Sequence, residues 1–208
     1  PRCLSSNLPT RHGATLAVAD LLVALAKTHT PLPGQFCLAL RQLVPRIEKA
    51  RLFRGRGGEA MRGAVCRLVE AASHAAVPLP VAARLRLLDT VDACLKHPNA
   101  DIRAQAARAL HALTRESLPG AGAVSDRLLQ RALTPYVEGL ETDENPAARR
   151  GFARALGALP ASLLCAREDT LATVVGALVG AARVSPREAA EARDAEVRRE
   201  AVYALGRV

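Results

Sequence analysis

The sequence predicts an all-α fold, a solenoid of stacked antiparallel helical hairpins, and three observations predict it. A single helix-face pattern recurs along the 208 residues: a small or apolar residue, Arg, an apolar residue three later, then an apolar pair and a closing apolar residue. Between successive copies lies a second apolar stripe at helical spacing. The composition is 50% apolar yet only 2% aromatic, with no Trp, which suits closely packed helices of Ala and Leu. Sandwiches and barrels call for period-2 runs of Val, Ile, Thr and aromatics, and none stands out.

The clear copies are Met61-Arg62…Val65…Leu68-Val69…Ala72, Ile102-Arg103…Ala106…Ala109-Leu110…Leu113, Ala148-Arg149…Phe152…Ala155-Leu156…Leu159 and Val197-Arg198…Ala201…Ala204-Leu205…Val208. A looser one opens the chain at Thr10-Arg11…Ala14…Ala17-Val18…Leu21. Starts about 40 to 50 residues apart match the repeat length of HEAT and armadillo hairpins, so about five such repeats are expected in one segment, 1–208. Each hairpin is too small to stand alone, and neighbours must stack. The slot arginines Arg62, Arg103, Arg149 and Arg198 should begin each second helix. A cation opposes the dipole there, so a carboxylate or carbonyls of the preceding repeat should offset it.

The partner helices follow from the intervening stripes. Residues 34–50 align Phe36, Leu40, Leu43, Val44 and Ile47; residues 80–96 align Leu88, Val91 and Leu95. Residues 126–140, entered from Ser125 as N-cap, align Leu129, Leu133, Tyr136 and Leu140. Residues 169–182 align Leu171, Val174, Val175 and Leu178, with Glu168 and Asp169 at the positive end of the helix dipole. Pro45 and Pro135 fall inside two of these helices, where each removes a hydrogen bond and favours a bend. Breaks are expected at Thr30–Gly34, Gly55–Gly58, Val77–Pro80, Pro98–Ala100, Leu118–Gly122, Asn145–Pro146 and Val184–Pro186. The chain reads as a piece of a longer protein, since residue 1 is Pro and the last helix stops uncapped at Val208.

A net charge of +9 raises nucleic-acid binding as a reading. The arginines are scattered through the repeats, however, without base-stacking aromatics among them, and an acidic protein surface fits the charge better. No apolar run reaches membrane-span length, and no signal-peptide layout is present. Cys3, Cys37, Cys66, Cys94 and Cys165 form no C-x-x-C and suit reduced thiols, Cys66 and Cys94 as small core side chains. His12, His29, His74, His97 and His111 have no metal-ligand spacing; His97, beside Lys96 at a helix C-terminus, should favour its cation. No catalytic, cofactor-binding or metal residues are assigned, and an enzyme would need a pocket built across repeats.

One loop stands apart, Arg54-Gly55-Arg56-Gly57-Gly58, just before the helix bearing Met61 and Arg62. It lacks the G-K-[ST] ending of a phosphate loop, and no strand precedes it. With Glu48, Lys49, Arg51 and Arg62 it is the candidate protein-binding element, because dense glycine exposes backbone amides and the flanking charges are costly to bury.

The stretch Ile47-Glu48-Lys49-Ala50-Arg51-Leu52-Phe53-Arg54-Gly55-Arg56-Gly57-Gly58-Glu59-Ala60-Met61-Arg62, followed by Ala64-Val65-Cys66, resembles the C-terminal region of tubulin-folding cofactor D. That family carries an R-G-x-G-G-x-x-M-R-x-A-V element in this region. Arg11-His12-Gly13 and Gly151-Phe152-Ala153-Arg154-Ala155-Leu156-Gly157-Ala158-Leu159-Pro160 match in the same order. Residues 74–102 and the linkers near 118 and 184 are weakly similar at most, so nothing is carried over there. The resemblance implies a cytoplasmic, microtubule-associated helical-repeat chaperone that binds β-tubulin. It would act in assembly and disassembly of the αβ-tubulin dimer with a small Arf-like GTPase and other tubulin cofactors, in a complex that stimulates GTP hydrolysis by tubulin. The alternative is a generic HEAT adaptor in transport or signalling.

Overall fold

The computed structural model describes residues 2–117, 122–165, 167–183 and 195–208, with side chains for all of these except 116–117, 122–129 and 168. The described residues form ten α-helices, no strand, and a short 3-10 turn at Arg2–Leu4. The helices are α1 (Leu8–Lys27), α2 (Gly34–Lys49), α3 (Gly58–His74), α4 (Val81–Leu95), α5 (Ala100–Ser117), α6 (Gly122–Thr142), α7 (Pro146–Leu156), α8 (Ala161–Leu164), α9 (Glu168–Ala182) and α10 (Ala195–Leu205).

The signature helices form the spine. They stack in chain order, α1 on α3, α3 on α5, α5 on α7 and α7 on α10, while α4, α6 and α9 each lie against the helix that follows. This is a helical-repeat fold, with a single core cluster running from Ala19 to Ala204. The pattern residues supply that core: Met61, Val65, Ala106, Leu110, Ala155, Leu156, Val197 and Ala201 are all fully enclosed. Small residues set the spacing. A Cβ on Gly151 would lie 1.9 Å from the Leu95 carbonyl oxygen, and one on Gly157 would lie 2.6 Å from Ala204.

Partner helices α2, α4 and α9 match their expected spans, and α2 and α6 run through Pro45 and Pro135 without interruption. Three readings need correction. The stripe of α1 is shifted by one residue: Arg11, Thr15, Ala19 and Leu22 are buried, whereas Leu21 is 48% exposed. Among the signature helices α1 packs on α3 alone, so its other side remains outside the core. Ser125 is no cap but lies inside α6, because Ala123 and Val124 offer no obstacle to a helix that begins at Gly122. Leu171, at 37% exposure, lies outside the core, and buried Thr170 faces inward in its place, while Val174 and Leu178 are buried as expected. The stripe position Leu129 and the break at Val184–Pro186 lie outside the described residues and side chains, as does most of the break at Leu118–Gly122.

Helices α1, α2 and α3 end alike. His29, Arg51 and Ala76 have φ of 50°, 55° and 48°. Each end carries the paired bonds of a Schellman motif, as in Arg51 N–H to the Glu48 carbonyl and Leu52 N–H to the Ile47 carbonyl. None of the three is glycine, so the sequence gives no sign of these left-handed caps.

Arg103, and Arg11 in the looser copy, clasp the turn that leads into their helix. Arg103 is 3% exposed, and its Nη1 donates to the carbonyls of His97 and Pro98 at 2.8 and 2.6 Å. Arg11 Nη1 does the same with Ser5 and Ser6, six and five residues back, at 3.4 and 2.7 Å. Arg149 Nε reaches the Leu140 carbonyl at 3.2 Å. Carbonyls therefore offset the cation as expected, but those of Arg103 and Arg149 come from their own hairpin rather than the preceding repeat. Nη1 of Arg198 is buried with no hydrogen-bond partner among the described residues. Residues 184–194, which precede its helix, lie outside them.

Between α4 and α6 sits a polar knot. Tyr136, fully buried, donates to Asp92 at 2.5 Å, and Arg131 Nη2 donates to Asp92 at 2.7 Å and also to Asp89. Burial pushes the Asp92 carboxyl up, while Tyr136 and Arg131 pull it down. Burial, reinforced by the Asp92 charge, pushes the Tyr136 phenol well above its ordinary value.

Replacing Arg103→Ala strands two carbonyls and is expected to cost about 1–3 kcal/mol, read as a lower thermal midpoint. An unchanged melting curve would show the clasp to be idle. Tyr136 has a folded pKa above its unfolded value of about 10, so its contribution is intact below that pH. Above it the unfolded chain releases the proton first, and stability falls by up to about 1.4 kcal/mol per pH unit. Urea titrations of Tyr136→Phe between pH 8 and 11 should show lower stability at pH 8 and a shallower alkaline decline than the wild type.

Candidate basic cup at the α2–α3 loop

Helix α2 ends at Lys49, and Arg51 turns the chain in the left-handed region at φ 55°. That conformation costs a non-glycine residue about 1–2 kcal/mol. The loop then passes Phe53 and Arg54 and enters α3 through Gly57, the N-cap, at φ 85°. Gly58 is closely covered: a Cβ there would lie 2.5 Å from the Phe53 carbonyl oxygen. Glycine at 57 and 58 is thus required by backbone twist and by close approach respectively.

The loop folds over α4 to form a cup of about 340 Å³ lined by Glu48, Arg51, Phe53, Arg54, Arg62, Arg86, Asp89, Thr90 and Ala93. Of the predicted site residues, Glu48, Arg51, Arg54 and Arg62 meet here. Lys49, Gly55 and Arg56 are exposed but outside the cup, Gly57 is half-buried and Gly58 is buried. Sequence reasoning missed Phe53 as a lining residue and the whole α4 contribution. The available signal was spacing: Arg86, Asp89, Thr90 and Ala93 share a helix face beside the buried stripe of Leu88, Val91 and Leu95.

Arg62 is the exception among the slot arginines. Its guanidinium lies 5.2 Å from the Phe53 ring centre, and Nη1 lies 3.9 Å from the Cys94 sulfur. No carbonyl offsets it among the contacts described, because the glycine turn sends the preceding chain elsewhere. The cation binds a ring face and a thiol instead. Cys94 also hydrogen-bonds with Cys66; that bond, helped by Arg62, lowers the Cys94 pKa, while the same bond and burial raise that of Cys66. Both thiols are core residues, as expected. His97 departs from its expected cationic state: burial and then the Arg62 charge lower its pKa, and Nδ1 accepts the Asn99 N–H at 3.1 Å.

The charges of the cup are not balanced internally. Glu48 accepts from Thr90 at 2.5 Å, and Asp89 is taken by Arg131. Arg51, Arg54 and Arg86 have no ion-pair or hydrogen-bond partner for their side chains among the described residues. Three free guanidinium groups around a concavity favour an anionic partner surface. In a second hollow, of about 850 Å³, two of the three lining arginines, Arg108 and Arg154, are paired with carboxylates. The hollow lies over α3, α5, α7 and α10, where Glu70 pairs with Arg67 and Arg108, and Glu200 takes Arg154 in two bonds. His111 Nδ1 is held at 2.7 Å from the Ala158 carbonyl.

No family model matches the chain, and no solved structure matches it. Among the described residues no helix is long and apolar enough to cross a membrane, and no three His, Cys, Asp or Glu residues converge as a metal site.

The two conformational demands of the loop predict opposite outcomes. Arg51→Gly relieves a left-handed arginine and should raise stability by about 0.5–1 kcal/mol. Gly57→Ala adds a strained φ and a Cβ 2.3 Å from a methyl carbon of Leu8, and should lower stability by about 1–3 kcal/mol. Paired thermal melts check both signs.

Proposed function

We propose that this chain is a protein-binding segment of a tubulin-folding chaperone of the cofactor D kind, working by grip rather than by catalysis. One observation carries the reading: the free arginines Arg51 and Arg54 sit at a built concavity within the stretch that resembles that family. Arg86 joins them from α4. An acidic surface gains from such a cup through steering and charge complementarity. In this reading β-tubulin is the principal partner, and the small Arf-like GTPase and other tubulin cofactors share the assembly. The work is association and separation of the αβ-tubulin dimer, in the cytoplasm and at microtubules. The cup, with Arg56 beside it on the same exposed loop, is the contact element.

The test is the double substitution Arg54→Glu with Arg56→Glu in the full-length protein. Both side chains are exposed, so circular dichroism and the melting midpoint should not change. Co-purification of β-tubulin or of the GTPase should fall several-fold. A folded double variant that retains both partners at wild-type levels would remove the loop from the binding surface.

A further inference from the structure

The basic cup is the open end of a longer feature. A cleft of about 260 Å³ runs between α2 and α4 over α3, floored by Leu40, Val44, Leu68, Val69 and Val77, with Leu87 on its wall. Glu48, Arg86 and Thr90 line both cleft and cup, so the two are continuous. Two cross-bridges from α2 hold the cleft in shape. Arg41 Nε donates to the Pro78 carbonyl at 2.8 Å on one side, and Thr90 donates to Glu48 at 2.5 Å on the other. Pro45, also in the lining, has no N–H to give the Arg41 carbonyl, which leaves a main-chain acceptor on the wall.

Shape and charge together select the occupant. A dry apolar cavity of about 150 Å³ takes a benzene-sized group, so this cleft has room for one large or two smaller aliphatic side chains. A purely apolar ligand would leave Arg86, Arg51 and Arg54 unused at the mouth. A segment whose aliphatic residues are followed by carboxylates uses both halves.

We infer that the α2–α4 cleft and the basic cup form one binding site for an acidic peptide segment of a partner protein, with leucine-like side chains seated in the cleft and the following carboxylates on Arg86, Arg51 and Arg54. The inference goes beyond the proposed function and does not need the partner to be tubulin. A peptide assay reads the cleft, whereas co-purification reads the partner.

The probe is a fluorescein-labelled peptide, Gly-Leu-Glu-Leu-Leu-Glu-Asp-Glu-Gly, titrated by fluorescence anisotropy at low and moderate salt. Controls replace its leucines by alanine, or its acids by lysine. The expected result is saturable binding that weakens with salt and is at least tenfold weaker for either control. Ala83→Phe, which fills the cleft from α4, should weaken it at least tenfold; Arg86→Glu should weaken it about fivefold and flatten the salt dependence. Arg86 is exposed, so that variant decides the matter if Ala83→Phe fails to fold. No binding by the wild type, or binding unchanged in the decisive variants, overturns the inference. Equal binding of the lysine peptide overturns it in favour of an uncharged apolar ligand. Self-association in sedimentation that Ala83→Phe abolishes overturns it in favour of a second copy of the chain.

Discussion

The close approach of the signature helices is the constraint on which the rest of the structure depends. Stacked helices meet at Gly157 against Ala204, and Gly151 meets the carbonyl of Leu95, with separations that no larger side chain permits. Such spacing requires a core of Ala, Gly, Leu and Val, which explains a chain that is half apolar and almost free of aromatic residues. It also leaves little room for charged groups between the stacked signature helices, so charges gather at helix entrances, on the outer faces and in the knot between α4 and α6. Arg11 and Arg103 turn that restriction to use, each stretching back over carbonyls of the turn that precedes its helix.

Charge is treated differently on different parts of the molecule. Over the stacked signature helices, arginines meet carboxylates of neighbouring helices: Arg67 with Asp20, Arg108 with Glu70, Arg150 with Glu196, Arg154 with Glu200. These pairs run from α1 to α10. At the α2–α3 loop the carboxylates are already engaged and the arginines are in excess. Around the cup, Arg51, Arg54, Arg62 and Arg86 thus outnumber Glu48 and Asp89 at a concavity.

Much of the fold was legible because a 3.6-residue period survives wherever a helix is covered on both flanks. Met61, Val65, Leu68 and Val69 show it plainly. The period misled in α1, where one neighbour suffices and the buried face rotates to Thr15 and Ala19. The four-residue helix Ala161–Leu164 left no periodic trace, being shorter than two turns. In the candidate site, the loop declared itself through its glycines and arginines. Arg86, Asp89 and Thr90 did not, because their place beside residues 48–62 is set by how α2, α3 and α4 pack rather than by local sequence. Arg51 is a similar case, since a left-handed cap is written as glycine in most chains and here is written as arginine.

The cleft between α2 and α4 also has a mechanical consequence. On the spine, helices touch through backbone and small side chains, so that side resists both compression and extension. On the partner side, α2 and α4 are separated by open space, with single hydrogen bonds from Thr90 of α4 to Glu48 and from Arg41 to Pro78 in the turn before α4. A layered beam with one stiff leaf and one gapped leaf bends about the stiff leaf. The softest deformation of this part of the chain is thus a change of curvature that widens or narrows the cleft while the spine keeps its length.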